Sequence, residues 1–137
     1  MSNKTYLIIG GTGGIGKAMI EQLTASTTHD TIVFATHHKN IPDFEAPNLQ
    51  WISMDICDED SIQQAAEVIK QQTTHIDWVI NCAGLLHTDT QQPEKALRQM
   101  ETDFFLQNMQ VNALASLLIA KHFKPLLAKA KRSNDTP

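Results

Sequence analysis

Five of the six glycines in this 137-residue chain crowd into the stretch IIGGTGGIGKAM, as Gly10, Gly11, Gly13, Gly14 and Gly16. They follow an apolar run, TYLII at residues 5–9, and lead into Ala18, Met19, Ile20 and Leu23, which share a helical face. Glycine lets a backbone turn with positive φ and come close to a bound group. A helix that begins inside such a turn offers unpaired N–H groups and a positive dipole end to an anion. The spacing Gly11-x-Gly13-x-x-Gly16 fits a dinucleotide-binding turn. So do Gly10-x-x-x-Gly14-x-Gly16 and Gly10-x-x-Gly13-x-x-Gly16. Spacing alone does not choose among them, and a merely flexible turn is the bland alternative.

The elements that would position this turn can be read from periodicity. Residues 5–9, 31–36, 49–54 and 76–80 read as strands. Residues 16–25 read as a helix, as does a segment from Asp58, its N-cap, to about residue 72. Residues 95–129 are helical in pattern, in one or two segments, with Pro125 kinking or ending the last. Residues 26–30 form a polar turn. The connection over residues 39–48, with Pro42 and Pro47, has room for at most a degraded or very short helix. The order β-α-β-β-α-β-α predicts an α/β fold, a doubly wound parallel sheet with helices on both faces.

Composition narrows the partners. The formal net charge is −4, which argues against nucleic acid or an anionic membrane as partner. No apolar run has the length of a membrane span, and the N-terminal run is too short for a signal peptide. The two cysteines, Cys57 and Cys82, form no CxxC pair, so a cytoplasmic protein with reduced thiols is expected.

Four further stretches sharpen the reading: Met54-Asp55-Ile56, Ile76-Asp77-Trp78-Val79-Ile80, Asn81-Cys82-Ala83-Gly84 and Val111-Asn112-Ala113. Together with Gly10-x-x-x-Gly14-Ile15-Gly16 they resemble the N-terminal half of a short-chain dehydrogenase/reductase, over essentially the whole chain. The Asn-x-Ala-Gly turn is similar to the single-domain branch of that family, and the pattern looks like carbonyl-reductase or C-factor members.

The resemblance implies a Rossmann-type fold and a set of roles. Gly10, Thr12, Gly14 and Gly16 would form the pyrophosphate turn, with Ile15 donating through its backbone. Asp55 would accept from the adenine amino group, helped by the Ile56 backbone; otherwise it is a plain turn or capping aspartate. Asn81, Ala83 and Gly84 would shape the floor near the adenosine ribose. Asn112 would perturb its helix and hold a water in a proton relay; otherwise it is a satisfied polar residue at a helix interface. The chain departs from the family at Ile9, where a Thr or Ser hydroxyl usually ties the turn to its neighbours, and at Cys82, usually Asn.

An NAD enzyme places an acid at the end of the second strand for the ribose hydroxyls. Here that end reads Ala35-Thr36-His37-His38-Lys39, with no acid before Asp43, and Asp30 lies at the other end. Thr36, His38 and Lys39 could hold a 2′-phosphate, so NADP(H) is favoured over NAD(H). Gly13 counts against this, because many NADP-dependent relatives carry a basic residue there. Adjacent strand residues point to opposite faces, so His37 and His38 are not expected to share a metal.

The family's reaction is hydride transfer between nicotinamide and a carbonyl or alcohol, with a Ser and a Tyr-x-x-x-Lys as its acid/base machinery. The one tyrosine here, Tyr6, is followed by Leu7, Ile8, Ile9 and Gly10, so the motif is absent. The expectation is that residues 1–137 are the N-terminal part of a single NAD(P)-binding domain. The sheet would then be truncated after its fourth strand and the following helix, the chain would be inactive alone, and residues 133–137 would be a polar loop. The missing half would cover the apolar edge at Trp78-Val79-Ile80. Val111, Leu114, Leu117, Leu118 and Phe123 would form a stripe through which the last long helix joins a homo-oligomer. Met100, Phe104 and Phe105 are assigned to the core, and Leu85, Leu86 and His87 to a solvated loop. Two other readings stand beside this one: a non-enzymatic dinucleotide-binding or signalling module, and a structural protein that uses the fold without cofactor.

Overall fold

The computed structural model describes residues 4–25 and 30–130. Residues 26–29 of the expected turn at 26–30, and the polar loop at 133–137, lie outside the described residues. In chain order the elements are β1 (Lys4–Ile9), α1 (Gly14–Ala25), β2 (Thr31–His37), β3 (Leu49–Ser53), α2 (Glu59–Lys70) and β4 (Trp78–Asn81). A 3-10 turn (Leu97–Gln99), α3 (Thr102–Met109), a π-helical turn (Gln110–Leu114) and α4 (Ala115–Leu127) follow.

The four strands form one sheet in the order β3-β2-β1-β4, and every neighbouring pair is parallel. Alternation along β1 sorts the core into two layers. Leu7 and Ile9 join Ile62, Ala65 and Ile69 of α2 and Ile119, Phe123 and Leu126 of α4 on one face. Ile8 joins Val33, Ala35 and Ile20 of α1 on the other. Helices thus cover both faces of a parallel sheet, a Rossmann-type arrangement. No helix among the described residues is long and apolar enough to cross a membrane.

Helix α2 begins as expected. The Asp58 side chain accepts from Asp60 N–H at 3.0 Å, and Glu59 and Asp60 oppose the positive helix end. Ile62, Ala65, Ala66 and Ile69 recur at helical spacing and are buried. Glu59 also clasps α4: its Oε1 accepts from Lys121 Nζ at 2.5 Å and meets His122 Nε2 at 2.9 Å.

Several expectations are corrected. No helix forms between β2 and β3. The path with Pro42 and Pro47 is pinned instead by the Trp51 indole N–H on Phe44 O at 2.9 Å and by Asn48 Nδ2 on Thr31 O at 3.1 Å. The fourth strand starts at Trp78, because Ile76 N–H is spent on Leu126 O and Asp77 exchanges bonds with the Thr5 backbone. Helix α4 continues two residues past Pro125, since a proline near a C-terminus forfeits little of the hydrogen-bond ladder. Phe104 is in the core, but Met100 and Phe105 are nearly half exposed. Val111 and Phe123 are buried rather than on an outward stripe. Leu114 and Leu117 do face outward, and Leu118 packs partly against the core.

Candidate functional site

The glycine turn leaves β1 at its C-terminal end. Gly10 has φ +78°, the one positive φ among the described residues. A Cβ there would lie 2.8 Å from Ala83 N, so the turn and the segment after β4 approach each other backbone to backbone. A Cβ at Gly16 would collide with Gly10 O, which lets α1 start directly beneath the turn. At Gly14 a Cβ would meet no protein atom within 4 Å. Nothing in the fold therefore requires glycine there, and the space beside it is open.

Ile9 carries no hydroxyl, and Thr36 supplies one from the next strand. Gly10 N–H donates to Thr36 Oγ1 at 3.1 Å, and Gly11 N–H to Thr36 O at 3.2 Å. The β1–β2 register, which pairs Ile8 with Ala35, brings Thr36 opposite the start of the turn. Thr36 is buried, so its hydroxyl serves the turn rather than standing free for a phosphate.

A cleft of about 300 Å³ opens at the C-terminal ends of the strands. Gly10 and Thr12 line it from the turn, Thr36, His37 and His38 from the end of β2, and Met54, Asp55, Ile56 and Cys57 from the segment after β3. Ala83, Gln107 and Val111 complete it. The sheet order reverses direction between β1 and β4, and ligands of open parallel sheets bind at such a point. Lys39 does not line the cleft.

Asp55 makes a local turn and also lines the cleft. Its Oδ1 accepts Cys57 N–H at 2.9 Å in a local turn, while Oδ2 lies 3.4 Å from His38 Nε2 at the cleft wall. Asp55 N–H donates to Ser61 Oγ at 2.8 Å, and Gln110 Nε2 donates to Cys57 O at 2.9 Å, so this wall is anchored to α2 and to the π turn. Local desolvation and then the Asp55 carboxylate push the Cys57 thiol above its ordinary value. Burial does the same for Cys82.

Asn81 and Asn112 organise the segment after β4. Asn81 Oδ1 accepts Ala83 N–H at 3.0 Å and its Nδ2 donates to Ser116 Oγ at 3.2 Å. Asn112 lies in the π-helical turn, where the expected perturbation of the helix is found. Its Oδ1 accepts Leu85 N–H at 2.8 Å and its Nδ2 donates to Leu85 O at 2.6 Å. Gly84 sits beneath it, with a would-be Cβ 3.5 Å from Asn112 Oδ1. Leu86 is exposed, as a solvated loop requires.

Residue-by-residue reading of the sequence missed His37 and Trp51. His37 lines the cleft beside His38, because β2 ends between them and strand alternation no longer separates their directions. Trp51 walls a second cavity of about 250 Å³ together with Gly11, Thr12, Lys17, Ile20, Pro42, Asp43 and Phe44. Thr12 lines both cavities. The signal for Trp51 was a large aromatic one strand away from a glycine, which no linear motif encodes.

Comparison with known proteins agrees with this geometry. The family profile described as short chain dehydrogenase matches residues 4–134. An ipsdienol dehydrogenase of Ips pini is 31% identical over 126 residues, covering 84% of this chain and 48% of its own length. An uncharacterised oxidoreductase of Schizosaccharomyces pombe is 28% identical over 140 residues, covering 95% of this chain and 51% of its own. The chain thus spans about half the length of the curated relatives it matches. Among solved structures, an NADPH-bound carbonyl reductase from chicken fatty liver superposes with a TM-score of 0.79 at 22% identity. That match covers 99% of this chain and 52% of the reductase. An NADH-dependent reductase complexed with NAD superposes at 0.75 and 23% identity, covering 92% of this chain and 53% of its own.

Proposed function

The chain belongs to the short chain dehydrogenase family, and from that premise we propose that it is the dinucleotide-binding half of an NADP(H)-dependent oxidoreductase. The observation that carries the proposal is the cradle formed where Gly10 meets Ala83 and Gly16 meets Gly10, at the C-terminal ends of the strands. The residues present fit the group: the space beside Gly14 is open, α1 begins under the turn, and the cleft is lined from Gly10 and Thr12 to Asp55. When bound, the nicotinamide exchanges hydride with a small carbonyl or alcohol substrate.

In this reading Gly10, Thr12, Gly14, Ile15 and Gly16 hold the pyrophosphate. Asp55 and the Ile56 backbone hold the adenine, with Asn81, Ala83 and Gly84 as the floor. Thr36 acts through the turn. His38, paired with Asp55, and the exposed Lys39 give the 2′ position a basic environment. Asn112 keeps the Leu85 backbone in place and supports a water-mediated proton path to an acid/base supplied by the other half of the protein. These 137 residues alone do not turn over, because Tyr6, their one tyrosine, is in β1. The other half covers the edge at Trp78, and the outward Leu114 and Leu117 join a second copy. The compartment is the cytoplasm.

A non-enzymatic dinucleotide-binding module is the second reading, since the residues that line the cleft are ones that hold a ligand. Turnover of carbonyl substrates with NADPH by the intact protein separates the two. Consumption of NADPH supports the oxidoreductase, while tight binding without turnover on any carbonyl or alcohol supports the module.

A further inference from the structure

The cavity of about 250 Å³ beside Trp51 follows from how this chain connects β2 to β3. No helix fills that connection, and Pro42 and Phe44 wall the cavity instead. The Trp51 indole N–H holds them in place by donating to Phe44 O at 2.9 Å. Ile20 of α1 is buried behind them, and Ile20, Phe44 and Trp51 all pack in the core layer on the α1 face of the sheet. Neither Asp55 nor the end of β2 lines this cavity, so it is separate from the cleft described above.

Several donors of the lining are already spent inside the protein. The Trp51 indole is bonded to Phe44, Gly11 N–H goes to Thr36 O at 3.2 Å, and Lys17 N–H goes to Gly13 O at 2.8 Å. The Lys17 ammonium, the Asp43 carboxylate and the Thr12 hydroxyl are different. All three residues line the cavity, and these groups form no hydrogen bond or ion pair among the described residues. One cation and one anion thus stand on a cavity otherwise walled by apolar side chains. Such a set complements a molecule with one charge of each sign and an apolar body. A phosphate fits it poorly, because Asp43 opposes its negative charge. The volume suits a single small molecule, since pockets for drug-sized ligands begin at about 300 Å³.

We infer that this cavity binds a small zwitterion with an apolar body, of the chemical class of a free aromatic α-amino acid. Lys17 takes the carboxylate and Asp43 the ammonium, while the ring of the ligand lies against Phe44 and Trp51. The inference goes beyond the dinucleotide reading and does not rest on it.

The test is a calorimetric titration of the intact protein with L-phenylalanine, with phenethylamine and with 3-phenylpropionate. The last two keep the ring and one charge each. L-phenylalanine binds saturably and at least about tenfold tighter than either analogue, the factor that one charge-assisted contact supplies. Lys17→Met erases its advantage over phenethylamine, and Asp43→Asn erases its advantage over 3-phenylpropionate. Both side chains are exposed, so neither variant disturbs the core. A measurement without substitution locates the ligand: the Trp51 indole N–H resonance shifts as L-phenylalanine saturates. The inference is overturned by no saturable binding, by equal affinity for the three compounds, by variants that keep the full selectivity, or by an unmoved Trp51 resonance. Competitive displacement of L-phenylalanine by NADPH overturns it too, because the ligand would then occupy the cofactor cleft. Failure of NADPH to bind while L-phenylalanine still does contradicts the dinucleotide reading alone.

Discussion

Asn112 holds Leu85 by both of its backbone groups, accepting the Leu85 N–H at 2.8 Å and donating to its carbonyl at 2.6 Å. One side chain in a π-helical turn thereby fixes the loop that leaves β4 beside the cleft. Replacing it with alanine strands both groups. We expect Asn112→Ala to cost about 1–3 kcal/mol, the sum of two ordinary hydrogen bonds. The Leu85 amide should lose its protection from hydrogen exchange. Undiminished protection would mean the loop is held by something else.

Gly10 is the turn position whose own backbone conformation disfavours a side chain. Alanine at φ +78° costs about 1–2 kcal/mol from backbone sterics alone, and its Cβ would press on Ala83 N. Gly10→Ala should therefore lower the melting midpoint and weaken nucleotide binding together. A variant that melts and binds like the unsubstituted protein would show that the turn relaxes easily.

Glu59 ties stability to pH. Hydrogen bonds from Lys121 and His122 hold its carboxyl below the ordinary value of 4.5. A depressed carboxylate stabilises the fold fully above that value, and the contribution fades as pH falls through the lower, folded one. The gap in melting midpoint between the unsubstituted protein and Glu59→Gln should be widest near neutrality and should close as the pH falls below 4.5 through the lower, folded value. Because the group is at the surface, the gap should also shrink with salt. A gap that grows in acid contradicts the clasp.

Cofactor preference follows from the charge around the 2′ position. NADP(H) should bind about tenfold tighter than NAD(H), the ratio that one charge-assisted hydrogen bond of about 1.4 kcal/mol supplies. His38→Leu should narrow that ratio. A lower Kd for NAD(H) would reverse the assignment and turn attention to Asp43, which lines the second cavity.

Much of this was legible in the linear sequence. Apolar runs closed by glycine located β1, and Asp58 marked the start of α2, because both signals are local. The resemblance placed Asn112 at a perturbed helix, where the π turn is found. What escaped depends on register and crossing. Thr36 reaches the glycine turn only because β1 and β2 pair as they do. Residues 39–48 were given room for a short helix, but a tryptophan side chain fixes an irregular path. Phe105 and Met100 look like core by type, yet α3 turns Phe105 outward and Met100 sits exposed between the 3-10 turn and α3. His37 and His38 were separated by strand alternation, and the end of β2 brings both to one cleft.

The most direct test of the central claim is a calorimetric titration of NADPH into the intact protein and into Gly14→Val. Beyond its chain neighbours and its own helix backbone, no protein atom of the described residues lies within 4 Å of a Cβ at Gly14, so the variant should fold with little change in melting midpoint. Saturable binding by the unsubstituted protein and a loss of at least about tenfold in the variant is the expected result, since the side chain stands where the pyrophosphate must approach. Equal affinity in both proteins, or no binding by either, would contradict the assignment of this turn as a dinucleotide site.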